Sequence, residues 1–293
     1  MTWMLLVLLY GLLKGTREIV KKKALTRSTV IEVLVLYTLL SFLFVAPTAP
    51  KATGLSGRQL LLIACKSFVI FLAWICSFHA IRRLPISLYG ILDLSRVLFA
   101  TLLGVLVLGE SMTVPQSVGL GLVCLGLLML KGQKKSKAPR GDEDGDTAPS
   151  GGGGTTFYVA IALLSCLLNG LSGMMDKLLM REMNSDQLQF WYMLFLVLFY
   201  LLYIVFSRTR LAWGKLLRNY WVWILSLLFV IADRALFEAN AAADSRVTVM
   251  TLIKQSGCVV TILGGKFIFH EQHIGYRLLC AGVVVAGIVI AVL

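Results

Sequence analysis

Charge is scarce in this sequence. Asp, Glu, Lys and Arg together make up 15% of the 293 residues, against 58% hydrophobic. Soluble domains run at about 25% charged and about 45–50% apolar, so this chain has lipid as its solvent. Histidine is scarcer still: His79, His270 and His273 are the only three, all at the ends of apolar runs. His270 and His273 flank Glu271 with no further ligands nearby, which reads as a solvated turn. Cys65, Cys76, Cys124, Cys166, Cys258 and Cys280 lie inside apolar runs and form no CxxC pair. Without clustered thiolates they predict no metal site and read as small buried packing residues. A Walker loop, an HExxH and a GxSxG are also missing. An ATP-driven pump needs a nucleotide site, so that class is excluded, and the expectation is a protein that is not an enzyme and uses no cofactor. No run alternates polar with apolar as a barrel strand would, which leaves helices to satisfy the backbone in lipid.

What the chain has is long apolar runs. A helix crosses about 30 Å of hydrocarbon in roughly 20 residues. Runs near that length lie at about 2–20, 30–47, 59–80, 85–108, 114–131, 157–179, 187–206, 219–239, 246–269 and 275–292, predicting ten spans with end positions good to about 2–4 residues. The first begins apolar at once, without a basic leader or a small-residue cleavage site, and reads as a span rather than a signal peptide. Between spans five and six, 132–156 runs basic, then acidic, then into four glycines. That composition buries too little apolar surface to fold and reads as a flexible linker. The formal net charge of +13 sits mostly in loops, where it matches an anionic lipid surface. With no folded basic domain, nucleic acid is excluded as a partner.

The chain is one unit written twice. Slid along itself by 161 residues, Leu84–Lys131 falls on the last stretch. Ser95 then meets Ser256, Gly104 meets Gly265, Glu110 meets Glu271, Gly121 meets Gly282 and Gly126 meets Gly287. The same offset lays Phe68-Val69-Ile70 on Phe229-Val230-Ile231, and an offset of 159 lays Gly11-Leu12 on Gly170-Leu171. The predicted fold is all-α and integral to the membrane, with two five-helix repeats at 1–131 and 157–293. An odd number of spans per repeat turns the second upside down relative to the first, which is the plan of many transporters.

Ionisable residues deep in a span are costly and face a partner or a cavity. Those here are Lys66, Asp93, Arg96, Asp176, Lys177, Asp233, Arg234, Glu238, Lys254 and Lys266. Asp93 and Arg96 share a helix face three apart, and Arg234 and Glu238 four apart; either pair reads equally as a structural lock. In the repeat register Asp93 falls on Lys254 and Arg17 on Asp176, with the sign inverted both times. The expectation is that spans four and nine face each other and that Asp93 pairs with Lys254 or shares a solute with it. Lys66 and Lys254 lack local partners and lean towards function. Lys66 could instead snorkel to an interface, and for Lys266, near a span end, that is the better reading. Polar neighbours Asn169, Ser172, Asn240, Gln255 and Ser256 join them. Tyr89, Trp74, Trp191 and Tyr192 either wall a cavity or form interfacial belts. Gly11 and Gly15 form a GxxxG for close helix approach.

The segments GESMTVPQSVGLGLVCLG and HEQHIGYRLLCAGVVVAG resemble the EamA-like branch of the drug/metabolite transporter superfamily. Each repeats its apolar span, Glu, short turn and Gly-containing span, in register in the two halves. The resemblance implies ten spans in two repeats around a central substrate cavity lined by spans one, three, four, six, eight and nine. Spans five and ten then lie at the periphery or at a homodimer contact. It implies proton- or exchange-driven transport or export of a small metabolite across the cell membrane, and the superfamily also holds exchangers of phosphorylated solutes. The substrate-binding candidates are then Lys254, Asp93, Arg96, Lys66, Asp176, Arg234, Glu238, Gln255, Asn169 and Tyr89. The competing reading is a multi-pass scaffold or partner subunit that moves nothing; a dry, fully paired core would favour it.

Loop charge predicts orientation. Seventeen basic residues, from Lys14 to Arg218, follow spans one, three, five and seven, against four (Lys51, Arg58, Arg181, Arg246) in the opposite loops. The positive-inside rule puts the first set in the cytoplasm and both termini outside, the reverse of the placement usual for the resembled family. Reporter fusions within 132–156 are expected to show cytoplasmic activity. Labelling of that segment from outside intact cells would invert the map.

Overall fold

Helix starts are written locally. Thr29 accepts a hydrogen bond from the Glu32 N–H, while the Glu32 carboxylate accepts one from the Thr29 N–H at 2.9 Å. Ser56 with Gln59, Thr113 with Gln116 and Asn184 with Gln187 repeat the reciprocal box. Each box closes two N–H groups left open by the first helical turn.

The computed structural model describes residues 2–108, 113–131, 153–180, 182–208, 211–241, 253–272 and 274–292. Within these, the side chains at 104–108 and those of Lys177, Phe237, Glu238 and Asn240 are outside the description. The described residues fold as helices: α1 (Thr2–Ala24), α2 (Val30–Val45), α3 (Gly57–Arg83), α4 (Ile86–Asp93), α5 (Ser95–Leu108), α6 (Val114–Lys131), α7 (Gly153–Leu179), α8 (Ser185–Ser207), α9 (Trp213–Leu217), α10 (Tyr220–Ala241), α11 (Ser256–Phe267) and α12 (Ile274–Val292). A 3-10 turn, Ala46–Lys51, extends α2. Six segments are long and apolar enough to cross a membrane: Val30–Lys51, Gly57–Arg83, Ile86–Leu103, Gly154–Asp176, Ser185–Ser207 and Ile274–Ala291. Most of the expected linker, including its charged part, falls outside the described residues; its last glycines are already helical, since α7 begins at Gly153.

Three expectations are corrected. Lys14, Arg17, Lys21, Lys22 and Lys23 are not loop residues, because α1 continues to Ala24 and carries them. The 85–108 span is not one helix. It breaks at Leu94, whose N–H turns to the Ile91 carbonyl at 3.1 Å, so that α4 and α5 meet end to end. Gln255, 161 positions on, is the matching break: 253–254 are helical, Gln255 is a turn, and α11 starts at Ser256. Of the six cysteines, only Cys166, Cys258 and Cys280 are buried, while Cys65 and Cys124 lie exposed on outward faces.

The packing partners run in matched sets. α1 lies along α10 and α7 along α3; α1 also crosses α11 and α7 crosses α5; α6 packs along α12. Aromatic rings from three helices, Tyr37, Trp74, Phe78 and Phe229, fill the middle with ring centroids 5.2–6.1 Å apart. Two crossings bring backbone against backbone. A Cβ at Gly15 would stand 2.5 Å from the Gly257 carbonyl oxygen, and one at Gly287 would stand 2.7 Å from that of Gly119. Without a hydrophobic drive between helices in lipid, such close contacts are what hold neighbours together. Gly287→Ala is therefore expected to push α12 off α6 and cost about 1–3 kcal/mol, seen as a lower melting temperature of the detergent-purified protein. Gly121→Ala, where a Cβ meets nothing within 4 Å, is the control expected to melt like the parent.

Candidate functional site

The break at Leu94 leaves Asp93 as the last residue of α4, pointing at α1. Its Oδ2 lies 2.8 Å from Lys14 Nζ, and its Oδ1 accepts from Arg96 Nη2 at 2.7 Å. The pairing with Arg96 follows from the i,i+3 spacing; the pairing with Lys14 does not. α11 packs against α4 as expected for spans four and nine, yet Asp93 does not pair with Lys254. Both oxygens of Asp93 are already taken, by Lys14 of α1 and by Arg96. Lys254 Nζ makes no ion pair among the described residues and sits 5.9 Å from the centre of the Tyr10 ring.

These groups share one cavity. Lys14, Glu18, Asp93, Lys254 and Gln255 line it beside Gly90, Cys258 and Thr261. Its volume is about 10 Å³, room for about one water molecule. In this conformation no solute fits, so a solute reaches the lysines only if α1 separates from α4 or α11. Lower on α1, Lys21 Nζ holds Glu18 Oε2 at 2.6 Å, with both residues buried.

A second charged centre lies between the two halves. Lys66 of α3, which lacks a partner in sequence, meets Asp176 of α7 at 2.9 Å and lies over the Tyr192 ring at 3.7 Å. The Lys66 side chain is 3% exposed. Neither snorkelling nor an unpaired role survives for it. Asp233 of α10 is within electrostatic reach of Arg17, Lys66 and Asp176.

The other candidates scatter. Tyr89 is buried, with its hydroxyl 2.6 Å from Ser77 Oγ, tying α4 to α3 away from the cavity lining. Asn169 donates to the Ser165 carbonyl of its own helix at 2.7 Å. Arg234 is exposed, and the Glu238 side chain lies outside the described residues, as does Thr251 next to Lys254. Lys266 is exposed at the end of α11, over Phe267.

Sequence reasoning missed Lys14, Glu18 and Lys21 by reading them as the loop after span one. A signal was present. Tyr10, Lys14, Arg17, Glu18 and Lys21 recur at helical spacing, so one polar stripe runs down an otherwise apolar helix. It also missed the role of Glu271. That carboxylate accepts from the N–H groups of Ile86 (2.5 Å) and Ser87 (3.1 Å) and from the Ser87 hydroxyl, with Arg277 at 2.9 Å and Lys22 at 3.8 Å. Pro85 precedes α4 and gives no side-chain cap, so a carboxylate from the α11–α12 turn caps the helix instead. The equivalent Glu110 lies outside the described residues.

Six membrane-length helical segments among the described residues mark a multi-pass membrane protein. Residues 1–131 match the model of the EamA-like transporter family. No curated protein matches. Among solved structures, one described only as a crystal structure of a protein superposes with a TM-score of 0.58 at 16% identity, covering 97% of this chain and 98% of that one. That likeness shows a shared fold along nearly the whole chain.

The Lys66–Asp176 pair generates a stability prediction. Asp176→Leu strands a buried ammonium and is expected to cost about 3–5 kcal/mol. Adding Lys66→Met should restore most of the melting temperature, since an apolar pair of similar size has no charge to desolvate.

Proposed function

We propose that this protein is a secondary-active transporter, an exporter or exchanger, that moves a small polar metabolite across the cell membrane through a central path between two inverted five-helix repeats. A proton or a counter-solute drives it. The observation that carries the reading is the coincidence of three features at one place. Two helices are interrupted at positions 161 apart, Leu94 and Gln255. Charged side chains stand beside both breaks. A cavity joins them. Interrupted helices at a repeat interface are where transporters of inverted-repeat design bind their solutes. The matched packing of α1 on α10 and α7 on α3 supports the two-repeat arrangement.

A cavity with room for about one water fits an occluded or solute-free step of alternating access. The scaffold reading needs a fully paired core, and Lys254 counts against it, because an ammonium at mid-span costs roughly 2.5–3.5 kcal/mol even on lenient insertion scales.

A thermal-shift screen of the purified protein against amino acids, nucleosides, sugars and phosphorylated metabolites finds the solute, because a ligand of the folded state raises its melting temperature. Uptake of that solute into proteoliposomes then tests the site. Lys254→Met strands no carboxylate, so it should melt within a few degrees of the parent and lose transport. Full transport by Lys254→Met would refute the site; no solute-dependent flux for any compound would refute the transporter.

A further inference from the structure

Charge is unevenly partnered around the cavity. Its lining carries Lys14 and Lys254 from opposite walls, together with Glu18 and Asp93. Glu18 is held by Lys21 at 2.6 Å. Asp93 is shared between Lys14 and Arg96. That leaves Lys14 and Lys254 of the lining, with Arg96 beside it, facing one available carboxylate, an excess of positive charge among the described residues. Two ammonium groups across a narrow, poorly solvated gap repel strongly, since Coulomb energy grows as the local dielectric falls.

The surroundings add no relief. Cys258, Thr261, Gly90 and Gln255 complete the lining without a negative charge. Tyr10 offers Lys254 only a distant ring face. α11 also starts at Ser256, and a helix start contributes a partial positive pole. Every uncompensated feature at this place has the same sign.

We infer that the transported solute is an organic oxyanion, with its carboxylate or phosphate group seated between Lys14 and Lys254. This rests on the transport reading and narrows it. On arrival of the anion, Lys14 turns from Asp93 towards the solute, while Arg96 retains Asp93 and prevents it from being stranded. Lys254 then supplies the charge that has no ion-pair partner among the described residues. Movement of the solute head group thus trades one ion pair for another, and the lining changes contact without a new buried charge appearing. A zwitterion or a neutral sugar would leave the excess in place, and a cation would worsen it.

The test uses the full chain purified in detergent and reconstituted in proteoliposomes. Binding and counterflow are measured with inorganic phosphate, glycerol 3-phosphate, succinate, glutamate, leucine, glucose and putrescine. The expected result is that one or more of the anions bind and flow, while leucine, glucose and putrescine do neither. Preference for the phosphates over succinate and glutamate, or the reverse, identifies the head group. Lys254→Gln should weaken anion binding by about 10- to 100-fold, the worth of a charge-assisted hydrogen bond, and Lys254→Arg should retain most of it. Both variants are first checked for the parent's elution profile and melting temperature. If Lys254→Gln fails that check, Arg96→Gln, on the far side of Asp93, replaces it and should weaken the anion as well. Flow of only neutral or cationic solutes overturns the anion assignment and leaves the transporter standing. Anion binding without any flow keeps the anion site and overturns transport. Anion affinity unchanged in the folded variant overturns the seat between the lysines.

Discussion

The Asp93 carboxylate is the contact on which the middle of this molecule depends. It ends α4, receives Lys14 from α1 on one oxygen and Arg96 from α5 on the other, and so ties three helix segments at the point where a span is interrupted. An interruption in a membrane helix frees backbone groups that lipid cannot satisfy, and it is tolerated only against protein or a polar cavity. The ion pairs supply that polar surrounding. The gap they border is a polar cavity enclosed by protein rather than open to lipid.

Around this knot the chain uses charge sparingly and nearly always in pairs. Lys66 with Asp176, Lys21 with Glu18 and Arg277 with Glu271 each give a buried cation a carboxylate, without which its burial would be costly. The Lys66 and Lys21 pairs are supported further by rings, Tyr192 and Phe78. Lys254 has no ion pair among the described residues and stands in the cavity rather than in a packed layer.

Much of this was legible in the sequence. Apolar run length found the helices, because hydrocarbon thickness fixes it; the capping boxes at Thr29, Ser56 and Asn184 set three of the starts. The breaks at Leu94 and Gln255 fall at the same 161-residue offset that lays Ser95 on Ser256, yet they were not legible, because nothing in composition announces a break inside an apolar run. The i,i+3 spacing found Asp93 with Arg96. Long-range partners were hidden, because Lys14 to Asp93 and Lys66 to Asp176 depend on which helix lies beside which. Reading Lys14 to Lys21 as a loop came from treating charge as a span terminator, when a polar stripe facing protein lets a helix continue. Arg234 shows the opposite error: mid-span position alone does not turn a side chain inward.

Glu271 has a bearing on how the protein is made. The start of α4 obtains its capping carboxylate from a residue 185 positions later in the chain. At typical synthesis rates, about 5–20 residues per second, the ribosome takes on the order of 10 s to deliver that carboxylate after α4 has emerged. Through that interval the N-terminal part of α4 has open N–H groups, and Lys22 lacks its counter-charge. α1 likewise waits for α10, and α6 for α12. Membrane insertion of the first half therefore yields a loosely ordered intermediate. Its final assembly is a late event, dependent on the arrival of the last two helices and exposed until then to quality-control proteases.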